Sequence, residues 1–288
     1  MNNQKNNNND DLVLQNEEFL VCLDSRNATT YNNGSMNSNV LFQLEDSIRK
    51  NHESIDMSFS VLNFTSPYSF YQLNTTNNFL AMYISSVLVN IYFDEGNYDV
   101  NSFIQAFNTK LSSFSVTLSY NSLNNRFTLL SPNYFTINNN STIYNVMGFI
   151  KNRNMNCSYS ITAGFYAFEC SYSCNFSGLN NLNIRLLNMN TKNVDSLSST
   201  VSNIVQSIPV NANPLGTIFF EKKIDYSFNM NVDCLDSIQI GITDDLQNYI
   251  DFNGNHWNMT LLFRIRQTCH FNKQTFNDII EKNSFLYY

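Results

Sequence analysis

Charge is scarce in this sequence. Asp, Glu, Lys and Arg together make up 14% of its 288 residues, against roughly 25% in an ordinary soluble domain. The balance is acidic, a formal −7 with a pI near 4.9. A chain that grips nucleic acid presents a basic face. The longest basic cluster here is Lys222-Lys223, so nucleic acid is not an expected partner. Glycine is sparse too, at 8 residues. There is no glycine-rich loop to cradle a phosphate, no Gly-x-Ser-x-Gly elbow and no His-Glu-x-x-His helix. Neither catalysis nor a cofactor is expected. Residues 1–11, MNNQKNNNNDD, lack the apolar stretch of a secretory leader. No run of about 18 apolar residues offers a membrane span.

Metal ligands are equally thin. The histidines are His52, His256 and His270. Cys269 and His270 are adjacent, and neighbours on a strand point to opposite faces. Cys170 and Cys174 lie four apart, with no second pair at a distance to complete a zinc knuckle. With Cys22, Cys157 and Cys234 these cysteines read as free thiols, because no leader sends the chain to an oxidising compartment. The loop from Asp244 to Asn255 gathers oxygen ligands, and Asp251-Phe-Asn-Gly-Asn255 faintly echoes a calcium loop. It lacks the glycine at the sixth position, and Leu262 stands where the twelfth-position glutamate belongs. A polar turn is the better reading, and no metal site is expected.

What fills the gap is asparagine, at 51 positions, with many serines and threonines. The resulting surface is polar but uncharged. Hydrophobic residues make up 43%, enough for a core, and their spacing is mostly two. Ile238, Ile240 and Ile242 alternate with Gln239 and Gly241. Met259, Leu261, Phe263 and Ile265 alternate with Thr260, Leu262, Arg264 and Arg266. Period two puts each set on one face of a strand. The stretch 237–266 therefore reads as a hairpin, with Met259, Leu261, Phe263 and Ile265 on the core side. Trp257, the single tryptophan, reads as a packing residue beside it.

Further strands are expected at 19–24, 40–44, 54–64, 79–93, 115–120, 126–130, 134–137, 170–176, 182–187, 204–210, 217–220 and 225–232. In 54–64 the alternation places Ile55, Met57, Phe59, Val61 and Asn63 on one face and Phe64 on the other. One helix stands out in 96–112, where Val100, Phe103, Ile104, Phe107 and Leu111 recur at helical spacing behind the N-cap candidate Asp99. A helical turn is expected at 141–149 and a short helix around Phe276, Ile279 and Ile280. Residues 1–16 read as a disordered asparagine tail, and 188–203 as an exposed loop. Many short strands with one or two short helices predict an all-β fold of the β-sandwich class. About a dozen strands are too many for one small sandwich. The chain is therefore divided into the tail (1–16), an N-terminal lobe (17–151), a C-terminal lobe (152–270) and a C-terminal extension (271–288).

Several stretches are informative as an ordered set. Leu23-Asp24-Ser25-Arg26-Asn27 comes first. Phe64-Thr-Ser-Pro67-Tyr-Ser-Phe70-Tyr71 follows a strand, with Asn77-Asn78 after it. Gly96-Asn97-Tyr98 leads into the helix, and Val116-Thr-Leu-Ser-Tyr120 with Arg126-Phe-Thr-Leu129 forms a hairpin. Val146-Met-Gly148-Phe149 closes a lobe. Ser207-Ile-Pro209-Val210-Asn211 precedes Asp251-Phe-Asn253-Gly254 and Trp257. In this order they resemble the minor capsid and penton proteins of large eukaryotic DNA viruses, virophages and related mobile elements, over roughly residues 19–266. The tail, the loop 188–203 and the part after Arg266 match no motif of that set.

The resemblance implies jelly-roll-like lobes without catalysis or cofactor, in a virion component assembled in the cytoplasm of the infected cell. It implies a minor capsid protein that connects or stabilises major capsid proteins, with the major capsid protein and other minor capsid proteins as partners. A penton at the fivefold vertex, and hence a pentamer, is the alternative within the family. Low charge suits such a part, since it limits repulsion and desolvation on assembly. Phe276, Ile279, Ile280, Phe285, Leu286, Tyr287 and Tyr288 would form an apolar patch if left exposed. They are expected to dock on an adjacent subunit. A glycan-binding attachment module is the reading from another class, with Tyr166, Tyr172 and Trp257 as candidate stacking rings.

Overall fold

The period-two patterning is realised as antiparallel pairing in the computed structural model, which describes residues 11–271 apart from 53, 162–163, 190–192, 195–200, 224–225 and 231. The first strands are β1 (Asp11–Asp24), β2 (Thr30–Tyr31), β3 (Asn39–Arg49), β4 (Ser54–Pro67), β5 (Phe79–Ile84) and β6 (Val87–Tyr92). Helix α1 (Val100–Leu111) comes next, then β7 (Thr117–Asn121), β8 (Arg126–Ser131), β9 (Phe135–Ile137) and helix α2 (Tyr144–Met147). There follow β10 (Met155–Asn156), β11 (Ser158–Ser160), β12 (Phe165–Glu169), β13 (Asn181–Leu186), β14 (Asn193–Val194) and β15 (Val201–Ser202). The last are β16 (Ile204–Pro209), β17 (Thr217–Glu221), β18 (Phe228–Met230), β19 (Cys234–Thr243) and β20 (Asn258–Phe271). The chain forms two units. One combines the residues up to Tyr68 with those from Asn181 onward, and the other is Ser69–Asn180.

In the first unit one sheet runs β1-β20-β4-β17, with β18 also on β4, and the other runs β16-β13-β19-β3-β2. Leaving aside the short β2 and β18, this is the strand order of a jelly roll, two Greek keys folded into facing sheets. Met57, Phe59 and Val61 of β4 and Met259, Leu261, Phe263 and Ile265 of β20 are buried from one side. Val40, Phe42, Ile184, Ile238, Ile240 and Ile242 are buried from the other. The Trp257 ring bridges the two sheets, 6.1 Å from Phe42 of β3 and 6.1 Å from Phe64 of β4. Phe64 is on the inside because the β4–β20 register shifts between Thr260, opposite Asn63, and Leu261, opposite Val61. The extra residue, Leu62, reverses the parity of the strand, so Phe64 joins the face expected for Phe59.

Four expectations are corrected by this arrangement. The stretch 237–266 is not a hairpin: β19 pairs with β3 and β13, whereas β20 pairs with β1 and β4. Each strand has one apolar face, and that pattern is satisfied equally by two facing sheets about 10 Å apart. The lobe boundary at 151/152 falls inside the second unit, because β10 pairs with β9 and β12 with β8 across it. Residues 11–16, expected to be tail, belong to β1, where the register continues from Asp24↔Asn258 to Asp11↔Phe271. Residues 170–176 form no strand, and the strand there is β12, just upstream.

The second unit has sheets β10-β9-β5-β6 and β11-β12-β8-β7 around a single core. Helix α1 starts where expected. The Asp99 carboxylate accepts the Ser102 amide at 2.7 Å, and the Ser102 hydroxyl accepts the Asp99 amide at 2.9 Å, a reciprocal cap. Phe103, Phe107 and Leu111 recur on the buried face of this helix. Phe103 lies within 5.1–5.9 Å of the Phe93, Tyr98, Phe127 and Phe176 rings. The expected strand 79–93 is divided by a tight turn: Ile84 pairs with Val87, and Ser85 and Ser86 have φ of 48° and 70°. Two consecutive positive φ values are the type I′ turn that suits a two-residue hairpin loop.

Candidate functional site

Motif residues far apart in sequence meet at one junction of the first unit. β1 stops at Asp24, whose carboxylate caps the turn 25–27 by accepting the Arg26 amide at 2.9 Å and its Nε at 3.0 Å. The Arg26 side chain holds the Asp24 carboxyl below the usual carboxylate range. The turn places Ser25 against the end of the 244–257 loop. The Ser25 amide donates to the Trp257 carbonyl, and the Trp257 amide donates to Ser25 Oγ, both at 3.0 Å. Trp257 Nε1 donates to the Asn37 carbonyl at 2.7 Å, and Asn37 Nδ2 donates to the Asn255 carbonyl at 2.9 Å. Asn37 is held at φ 57°, a left-handed conformation that asparagine tolerates.

Ser25 Oγ also lies 3.1 Å from His256 Nδ1. This pair does not make a nucleophile. Ser25 is fully buried, so no substrate reaches the hydroxyl, which already accepts the Trp257 amide. The junction is a latch that joins β1, the segment before β3 and the entry to β20.

The 244–255 loop uses its oxygens within the first unit: Asp245 accepts the Asn183 side chain at 3.1 Å, and the Asp244 and Asp251 carboxylates fold back on the loop. Asp244 accepts the amides of Leu246 and Asn248, each at 2.8 Å, and the Asn248 side chain at 2.9 Å. Asp251 accepts the Asn253 amide at 2.8 Å. These turns leave the carboxylates facing their own backbone. Among the described residues no three His, Cys, Asp or Glu side chains converge on a metal-sized space. Cys22, Cys157, Cys170, Cys174 and Cys234 are free thiols, with Cys157 and Cys170 buried. Burial pushes the Cys170 thiol far up.

The three rings considered for sugar stacking divide. Trp257 is fully buried, so it is excluded as a platform. Tyr172 is exposed, and Tyr166 packs 5.6 Å from Tyr134 and 5.0 Å from Tyr159. Phe276, Ile279, Ile280, Phe285, Leu286, Tyr287 and Tyr288 lie outside the described residues.

Sequence reasoning missed a cleft of about 870 Å³ in the first unit, lined by Gln206, Pro209, Asn211, Phe219, Phe220, Glu221, Lys222, Lys223 and Tyr226. β16 and β17 are the outer strands of the two facing sheets, so the cleft lies along an open side of the sandwich. The available signal was Phe219-Phe220 separated only by Glu221 from Lys222-Lys223, an apolar pair close to the longest basic cluster. Phe219 and Tyr226 are both exposed.

No protein-family model and no curated protein matches the sequence. Among solved structures, the chain is similar to the mavirus penton protein at 11% identity and a TM-score of 0.48, over 87% of this chain and 100% of that one. It is also similar to a chain of the Sputnik virophage particle at 13% identity and a TM-score of 0.41, over 87% of this chain and 97% of that one.

Proposed function

We propose that the chain is a structural component of a viral capsid, a minor capsid protein that connects or stabilises major capsid proteins in the virion and performs no catalysis. The observation that carries this reading is the strand order β1-β20-β4-β17 facing β16-β13-β19-β3, and some motifs of the resemblance lie at turns of the chain. Leu23–Asn27 and the residues before Trp257 form the latch that closes the sandwich. Phe64–Tyr71 carries the chain out of β4, and Gly148 turns the chain after α2. Residues that fix joints specify a shape, which is what an assembly part contributes.

The surface supports the same reading. Leu20, Val87, Tyr92, Ile161, Leu215 and Phe219 are exposed on a chain with little charge to repel a neighbour. Free sheet edges are a liability for an isolated protein, and neighbours in a shell cover them. A mass-spectrometric inventory of purified particles tests the proposal: the chain is expected among the virion proteins, and its absence would refute the structural reading. Light scattering on the chain, alone and co-expressed with a major capsid protein, then separates the roles. A complex with the capsid protein is expected, whereas a pentamer of this chain alone would move it to the fivefold vertex.

A further inference from the structure

Among the described residues every outer strand but one is guarded against pairing with another chain. Proteins blunt such edges with charge, proline, shortness or a covering group. β1 carries Glu17 and Glu18, β16 ends in Pro209, and β17 contains Glu221 and runs into Lys222-Lys223. β2, β10, β11, β14, β15 and β18 have only two or three residues. On β7 the Asn108 side chain of α1 accepts the Leu118 amide at 2.7 Å and donates to the Leu118 carbonyl at 3.4 Å. β6 has none of these devices. It is six residues long, lies at the end of its sheet and pairs with β5 alone. From Phe79 to Phe93 the sequence holds no charged residue, proline or glycine.

The pairing with β5 fixes which groups face the open side. Ile84 and Val87 close the two-residue turn and exchange hydrogen bonds. Bonding alternates along an antiparallel ladder, so Val87, Val89 and Ile91 direct their backbone groups to β5. Leu88, Asn90 and Tyr92 direct theirs outward. The side chains of these three are exposed, 46% for Leu88 and 63% for Tyr92, whereas Val89 and Ile91 are buried.

We infer that β6 pairs antiparallel with β6 of a second copy of this chain, about a two-fold axis at Asn90. Such a contact is isologous, the same patch on both copies. Asn90 meets the partner's Asn90, Leu88 meets the partner's Tyr92, and Tyr92 meets the partner's Leu88. This register engages all three outward residues of each strand, and a slip of two residues leaves one on each strand unpaired. An aromatic ring against an aliphatic side chain is a favourable cross-strand pair. On β5, Tyr83 lies opposite Leu88, and Phe79 lies opposite Tyr92 with the rings 4.8 Å apart. The joint therefore continues one apolar stripe from sheet to sheet. Charge also favours a copy as the occupant. The chain carries −7, so like copies repel, but the joint itself is uncharged. The nearest acid, Asp94, falls opposite the Ser85-Ser86 turn in this register, far from the partner's Asp94, and Lys110 pairs with it at 3.2 Å. One strand per copy makes a small interface, in the weak class. This inference concerns contact between copies and stands apart from the capsid reading.

Sedimentation velocity and amide hydrogen exchange on the full chain test it. Dimers are expected to accumulate as concentration rises to about 1 mM, the range for a weak contact. With them the amides of Leu88, Asn90 and Tyr92 are expected to gain protection, whereas those of Val89 and Ile91 are protected in the monomer already. Asn90→Lys and Asn90→Asp each set two like charges directly opposite one another at the axis, and each variant alone is expected to associate about tenfold more weakly. An equimolar mixture sets opposite charges across the axis and is expected to recover the association. Asn90 is exposed, so unchanged thermal unfolding of both variants shows that the fold survives. A wild-type chain that stays monomeric to about 1 mM, association without protection of those three amides, variants that associate like wild type, or a mixture that recovers nothing would each overturn the proposal. None of these outcomes depends on whether the chain is found in virions.

Discussion

Replacing Gly148 by alanine should unfold the second unit early, and the cause divides into two measurable parts. Gly148 has φ 81°, and its carbonyl accepts the Tyr172 amide at 3.0 Å. An added Cβ would overlap the Tyr172 carbonyl oxygen and lie 2.9 Å from the Tyr172 carbonyl carbon and 3.0 Å from the Ser173 oxygen. All three are backbone atoms, so no side chain can swing aside. The left-handed conformation alone costs about 1–2 kcal/mol for a residue with a Cβ. Moving the 172–173 segment to relieve the overlap weakens the Tyr172 hydrogen bond, worth about 1 kcal/mol. The expected loss is about 2–3 kcal/mol, roughly a 10 °C drop in the melting temperature of a unit of this size.

Gly164→Ala supplies the control. Gly164 has φ 70° in the same unit, with nothing within 4 Å of the added Cβ. It meets the conformational cost without the clash, so only that about 1–2 kcal/mol is expected. Urea unfolding, followed by a probe in each unit, measures both variants, because two units need not melt together. Equal losses from the two substitutions would refute the argument that backbone contact at Gly148 matters.

Trp257→Phe should cost about 2–3 kcal/mol in the first unit, through the void it leaves and the orphaned Asn37 carbonyl; urea unfolding measures it. Wild-type tryptophan emission, which reports this one site, should be blue-shifted and move red on unfolding. Phe103→Ala removes the ring around which Phe93, Phe127 and Phe176 pack, and a loss of about 3–5 kcal/mol is expected by calorimetry. A thiol reagent should label exposed Cys22 and Cys234 in the native chain and reach buried Cys157 and Cys170 only after unfolding. Burial raises the thiol pKa of Cys157 and Cys170. The unfolded chain therefore loses these protons first as pH climbs past about 8.5, and stability should fall with rising pH there, a slope that urea titrations at pH 8 and 10 would show.

The sequence by itself determined the local structure. Period-two spacing placed most strands, and Ile238, Ile240, Ile242, Met259, Leu261, Phe263 and Ile265 are all buried as their alternation requires. Asp99 and the apolar spacing behind it placed α1, because a reciprocal cap and a helical stripe both lie within a few residues of sequence. The Ser85-Ser86 turn escaped notice because serine lacks the preference for positive φ that makes Asn-Gly legible.

Tertiary structure alone decided which strands meet. Alternation says that a strand has an inner face but not which sheet it joins, so β19 and β20 read as one hairpin although they line opposite walls. The division into units was hidden for the same reason: Asp24 pairs with Asn258, and no local signal marks a partner that far along the chain. The polar latch and the β17 cleft exist only after the sheets close, because their residues come from different strands and loops that only the closed sandwich brings together. Leu62 shows the smallest case of this, one bulged residue, set by its partner strand, that turns Phe64 from an outer position into the core.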